Sequence, residues 1–251
     1  MAYYSAALAF TSIGAPRSGQ KGLEVGLELS YLPPLSKEQR SAGFSKTEST
    51  NLMPILPRPR VAVTFPWATR LEASYVPPLK VFGVKASLLS AALTHPILER
   101  PALRLSARVA GSSSLVRGPI TCNKSMTEEG DGEQLFFDKV CHGHESEDEF
   151  HAPALSAELL ASGAQRGSIT PYAGLGVRTE DTKFIVGVKT FSGRSDPNHP
   201  VLEMSITRPY GMLGATWAQS ARRSLGGEIF YAPGSLVTVR FLGAMQLGGA
   251  K

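Results

Sequence analysis

The sequence predicts an all-β chain: a closed antiparallel transmembrane β-barrel of about 12 strands, with residues 1–21 as an N-terminal periplasmic or lumenal segment outside the barrel wall. Three observations carry that prediction. Apolar and polar residues alternate with period two along most of the chain, the pattern of a strand with two unlike faces. Charged residues make up 19% and apolar residues 42% of the composition, whereas soluble proteins run near 25% charged. Mean hydropathy is −0.05, yet unbroken apolar runs are only a few residues long, against about 18 for a membrane helix.

The first strand is read over 23–31, where Leu23, Val25, Leu27, Leu29 and Tyr31 oppose Glu24, Gly26, Glu28 and Ser30. Weaker alternation predicts strands near 60–68, 69–76 and 80–92. Residues 103–110 repeat the scheme, with Leu103, Leu105, Ala107 and Val109 against Arg104, Ser106, Arg108 and Ala110. Strands at 154–162 and 169–178 follow, then 183–191, 201–207, 210–218, 224–232 and 235–246. Most are as long as a tilted strand needs to be to cross a bilayer.

A soluble β-sandwich alternates in the same way. It would bury the apolar face with bulky Phe, Leu and Ile, but here that face is modest and rich in Ala and Val. The polar face mixes Gly and Ser with single charges. That order fits a membrane barrel, which turns its apolar set to lipid and encloses the polar one.

Connections agree. The long ones, 33–58 and 111–152, follow odd strands and fall on the extracellular side if both termini face the periplasm. The periplasmic connections are then the short ones, near 68–70, 93–102, 162–168, 192–200 and 218–224. The barrel occupies 22–247. An internal echo supports the register: Leu27 to Leu35 recurs as Leu71 to Leu79, each copy carrying Tyr and then Pro-Pro, which cannot continue a ladder. Tyr31, Tyr75, Trp67, Trp217 and Tyr231 fall near strand ends, where aromatic girdles lie.

This pattern, with Val-Lys-Ala-Ser at 84–87, Thr-Pro-Tyr-Ala-Gly-Leu-Gly-Val at 170–177 and a Cys-bounded loop, resembles bacterial outer-membrane β-barrel proteins, porin-like barrels of this size in particular. The resemblance implies a bacterial outer-membrane location and contact with outer-membrane lipid. It supplies no catalytic residues.

Chemistry is sparse. No G-x-x-x-x-G-K-[ST], G-x-S-x-G or H-E-x-x-H pattern occurs. His95, His142, His144, His151 and His199 all fall in predicted connections, which argues against a barrel-wall hydrolase. The expectation is no enzyme, no cofactor and no metal. Lys and Arg total 26 against 21 Asp and Glu, a net of +5, but the cations are scattered singly, unlike the clustered face that nucleic acid requires. Residues 122–151 alone carry nine acids and two Lys.

The register predicts a charged lumen lined by Glu24, Glu28, Arg70, Glu72, Lys85, Arg104, Arg108, Glu158, Arg178, Lys189, Glu228 and Arg240. So many inward charges need either water or one another. Water means a pore for small polar solutes, biased slightly toward anions; mutual pairing means a closed barrel. Cys122 and Cys141, with no other cysteine in the chain, fit one disulfide; two free thiols are the alternative, and zinc would need His142, His144 or His151 as further ligands. The acidic loop reads as a stapled solvated loop, a cation site on Glu145, Glu147, Asp148 and Glu149, or a partner surface anchored by Phe136 and Phe137. The first functional expectation is therefore a passive channel. The second is a closed barrel presenting its loops to a protein partner, and the third a surface hydrolase. Residues 1–13 lack the basic start of a signal peptide, so an exported form is expected to be a mature chain with an added Met.

Overall fold

The computed structural model describes residues 8–14, 22–33, 55–81, 84–123, 141–190, 192–194, 199–234 and 236–247. Alternation along the chain becomes eleven strands: β1 (Gly22–Tyr31), β2 (Ile55–Thr64), β3 (Arg70–Val81), β4 (Val84–Arg100), β5 (Leu103–Gly118), β6 (Asp148–His151), β7 (Ala154–Gly163), β8 (Ile169–Ile185), β9 (Val201–Ala218), β10 (Arg223–Ala232) and β11 (Leu236–Leu247). All pairings are antiparallel, and β1 pairs with β11 from Leu23↔Leu247 to Ser30↔Arg240, which closes the sheet on itself. Among the described residues no helix is long and apolar enough to cross a membrane.

Ten strands make the wall, not twelve. β6 lies outside it, beyond the end of β7, where it pairs with the far ends of β5 and β8. Both surplus strands come from splitting one long strand in two. β8 runs unbroken through Glu180-Asp181-Thr182, and β9 runs unbroken through Arg208-Pro209. The polar triplet and the proline look like turn chemistry in a sequence. In the fold, however, Glu180↔Ile206 and Val177↔Pro209 are ordinary rungs of one ladder. Two further boundaries move. Ile55–Pro59 and Gly111–Gly118, both placed in long loops, are strand, and the connection containing 192–200 joins β8 to β9 at the loop end rather than the opposite one.

The two ends of the barrel differ. At one end the connections β2–β3, β4–β5, β7–β8 and β9–β10 are short turns; at the other lie the β1–β2 and β5–β7 connections, which are long. Trp67 and Trp217 sit at the turn end, while Tyr31 and Tyr231 sit at the loop end, all exposed. Between them the outer face is a belt of exposed Leu, Val, Ile and Phe, with Leu27, Leu159, Leu175, Leu213 and Phe241 each at least half exposed. A soluble monomer rarely shows an apolar patch of more than a few hundred Å2. This wall wears its apolar residues outside and its charges inside, the inverted order of a transmembrane barrel.

One seam of the wall is short. β2 and β3 pair only over five rungs, from Arg60↔Ser74 to Thr64↔Arg70. Beyond them, residues 55–59 of β2 pair with β1 alone, and the remainder of β3 pairs with β4 alone across a bulge between Val76 and Leu79. Pro57 and Pro59 lie on one of these edges, Pro77 and Pro78 on the other.

Candidate functional site

Ten of the twelve predicted lumen residues lie in phase with the inner face. Glu28, Glu72, Arg108, Glu158, Arg178, Glu228 and Arg240 are buried, and Glu24, Arg70 and Arg104 are partly so, nearer the turn end. Two do not belong. Lys85 is exposed and pairs across strands with Lys80 and Arg117 on the outer face, because the true alternation of β4 puts Leu88 and Ser90 inward. Lys189 lies past the end of β8 and bridges to Glu147 at 2.9 Å. Four inward charges escape the sequence reading: Arg58, Arg60, Glu180 and Arg208, all buried. Each sits at a misplaced strand boundary.

The lumen is filled from within the chain. Residues 8–14 thread it, with Ala9, Phe10, Thr11 and Ile13 almost wholly buried. The wall grips this segment chiefly by its backbone. Arg58 Nη1 and Arg240 Nη1 donate to the Ala9 carbonyl at 3.2 and 3.0 Å, and Arg58 Nη2 donates to that of Leu8 at 3.3 Å. Arg108 Nη1 donates to the Phe10 carbonyl at 2.7 Å and Arg60 Nη1 to that of Thr11 at 2.8 Å. Two side chains add specificity. The Phe10 ring lies among the guanidiniums of Arg58, Arg60 and Arg108, with centroid distances of 5.6, 4.2 and 5.2 Å, each a cation–π contact. Thr11 Oγ1 donates to Glu228 Oε1 at 2.5 Å and accepts from Arg240 Nη1 at 2.9 Å.

The wall beneath is cut to fit. Phe10 packs on Ala92 and Ala110, and Gly226 leaves the room Ile13 takes: a Cβ there would stand 3.2 Å from the Ile13 carbonyl oxygen. Most of the remaining lumen charges pair with one another. Arg60 Nε donates to Glu28 Oε2 at 2.7 Å, Arg108 bridges Glu158 at 2.9 Å and Glu72 at 3.3 Å, and Arg178 Nε donates to Glu180 Oε1 at 2.6 Å. Tyr172 and Tyr210 donate to Glu228 and Glu158 at 3.1 and 2.7 Å. Such pairing is what buried charge demands, since an isolated ion in this setting costs several kcal/mol. Near Ser12 and Gly14 a cavity of about 30 Å3 remains, bounded by Glu24, Arg70, Thr94 and Ser224. Among the described residues, mutual pairing accounts for most of the inward charges.

At the loop end, Cys122 and Cys141 form a disulfide and are fully buried. Asp148 organises the chain around them, with Oδ2 accepting from Thr121 N and from Ser146 Oγ at 2.7 Å, and Oδ1 accepting from Gly187 N at 2.7 Å. Glu149 bridges Arg117 at 2.8 Å. With Glu147 held by Lys189 as well, the suggested cation site is taken apart, and no group of three metal-ligating residues occurs among the described residues. Phe136, Phe137 and the acids at 128–138 lie outside the described residues. His95 is in β4, not in a connection, and shares a hydrogen bond of 2.8 Å with Thr69 Oγ1.

No protein-family model matches the chain, and no curated protein matches it. Solved structures do. Ail, the attachment invasion locus protein of Yersinia pestis, in complex with the heparin analogue sucrose octasulfate, is similar over 92% of this chain and 99% of its own, at 9% identity and a TM-score of 0.39. The Pseudomonas putida toluene transporter TodX is similar over 92% of this chain and 68% of its own, at 10% identity and a TM-score of 0.36. The Acinetobacter baumannii outer-membrane protein Omp33 is similar over 91% and 99%, at 8% identity and a TM-score of 0.35.

Proposed function

We propose that this chain is a bacterial outer-membrane barrel that passes small polar solutes, anions ahead of cations, when residues 8–14 leave the lumen. The observation that carries the reading is the way the lumen is filled. A purely structural barrel can close with wall side chains alone; this one is wide enough to hold a strand of polypeptide and holds it without a covalent bond. Withdrawing the segment frees guanidinium donors of Arg58, Arg60, Arg108 and Arg240 at one level of the pore. A ring of arginines there favours anions.

Single-channel recording tests it. The full chain is expected to be silent or to open rarely, and a chain lacking residues 1–14 to conduct steadily, with a reversal potential in a salt gradient that reports anion preference. Tethering by Ile13→Cys with Gly226→Cys, whose side chains would lie in contact, should silence the pore until reduced. A folded deletion variant without conductance steps would overturn the channel reading.

A second reading, a closed barrel that presents its loops to a protein partner, is favoured by the rim. Asp148 and the disulfide order that end of the chain tightly around β6, as a binding surface requires.

A further inference from the structure

The short ladder between β2 and β3 has no counterpart elsewhere in the wall. Every other pair of neighbouring wall strands shares at least eight rungs, and this pair shares five. The ladder stops at Arg60↔Ser74, one residue short of Pro59 of β2, which pairs on its other side with Leu27 of β1, half exposed on the apolar belt. An unpaired strand edge at that depth is costly, because hydrocarbon offers no partner to a backbone N–H. The sequence removes those donors. Pro57 and Pro59 on β2, and Pro77 and Pro78 on β3, have no N–H to leave unsatisfied. The edges are thus built to stay apart, and the Pro-Pro of the second internal echo has a use beyond ending a strand.

Behind the seam the inner face holds polar atoms that lack partners. Arg58 Nε, Ser74 Oγ and Ser90 Oγ are buried with no hydrogen bond. Ser74 and Ser90 face each other across β3 and β4, Arg60 is opposite Ser74, and Arg58 is one inward position further along β2. Buried polar groups are seldom left so. A cation and two hydroxyls on this side, with an apolar outer face on the other, suit one class of ligand.

We infer that the β2–β3 seam is a lateral opening between lumen and bilayer, which takes a single-chain amphiphile with its oxyanion head at Arg58, Ser74 and Ser90 and its tail passing out between the prolines. This rests on the membrane reading, and because Arg58, Ser74 and Ser90 are buried where they stand, the head enters as the β2 and β3 edges part.

Fluorescence quenching tests it in the full chain, held in phospholipid nanodiscs whose acyl chains carry nitroxides. A bimane label is placed singly at Ser74→Cys or Ser90→Cys behind the seam, at Ser112→Cys on the same row of the inner face but away from it, and at Leu27→Cys outside. The expected result is loss of fluorescence at Leu27 and at Ser74 or Ser90, with Ser112 spared. Quenching at Leu27 with none at either seam position would overturn the opening while leaving the membrane reading intact. No quenching at Leu27 would overturn the membrane reading, and the opening with it. In nitroxide-free discs, dodecyl phosphate brominated on the carbons nearest its head should quench the Ser90 label, and Arg58→Gln should abolish that loss. Quenching unchanged in Arg58→Gln would remove the oxyanion head from the assignment.

Discussion

The two faces of one wall differ in the cations they accept: the inner takes arginine alone, the outer takes lysine and arginine alike. Arg58, Arg60, Arg70, Arg104, Arg108, Arg178, Arg208 and Arg240 all turn inward, while the strand lysines Lys80, Lys85 and Lys183 are exposed together with Arg100, Arg117 and Arg223. Packing inside the barrel explains the division. An inward cation must satisfy several acceptors at fixed angles, and a planar guanidinium with five donors does that where an ammonium cannot. Arg108 alone serves Glu72, Glu158 and the Phe10 carbonyl. At the rim one point charge with mobile water around it suffices.

The contrast can be broken most severely from inside. Arg108→Ala leaves Glu72 and Glu158 buried without their shared partner, and breaking a buried pair in this way costs about 3–5 kcal/mol. The expected outcome is loss of the heat-modifiable folded form on a gel. Placing the same kind of charge on the other face comes next: Leu27→Arg should cost about 2–4 kcal/mol near the bilayer midplane, read as reduced assembly into vesicles.

Arg60→Lys sharpens the comparison because charge is kept and only geometry changes. Arg60 donates from separate nitrogens to Glu28 and to the Thr11 carbonyl, and losing one such charged hydrogen bond costs about 1.5–3 kcal/mol. Thermal unfolding should show the loss, whereas Lys85→Arg on the outer face should be silent in the same measurement.

The smallest effect lies at the rim. Slight burial raises the Glu149 carboxyl's pKa, but the hydrogen bond with His151 and the Arg117 guanidinium outweigh it and hold the group below its ordinary value. A depressed carboxylate stabilises the fold above its unfolded-state pKa, and that contribution fades as pH falls through the folded-state value. Exposed pairs contribute at most about 1 kcal/mol. Wild type should therefore lose a small margin of stability on acidification that Glu149→Gln does not have, visible in a pH series of melting curves.

The strand pattern was legible wherever one face was plainly apolar, as in β1, β5 and β7. It failed where the inner face was most charged. Glu180 and Arg208 look like loop residues because a soluble strand rarely buries them, and here their burial depends on each other across the β8–β9 ladder, with Arg178 on the same face of β8 as a second partner for Glu180. Arg58 and Arg60 were hidden by Pro57 and Pro59, which read as loop chemistry and in fact mark an edge paired on one side. The occupant of the lumen left a still fainter trace. Nothing local in Ala9-Phe10-Thr11 asks for a guanidinium; its partners come from β2, β5, β10 and β11, and only closure of the sheet brings them together.

That arrangement has a consequence for the order of folding. The segment's contacts span 49 residues to Arg58, 98 to Arg108 and 231 to Arg240, so a segment that precedes every wall strand has no complete place to bind until the last strand is laid down. Contacts of such long range form slowly. The segment cannot serve as a template around which the strands gather; it is a latecomer that enters a nearly finished room. Its arrival should appear as a separate, slower kinetic phase after strand pairing, one that moves with substitutions at Phe10 and leaves the rate of sheet closure unchanged.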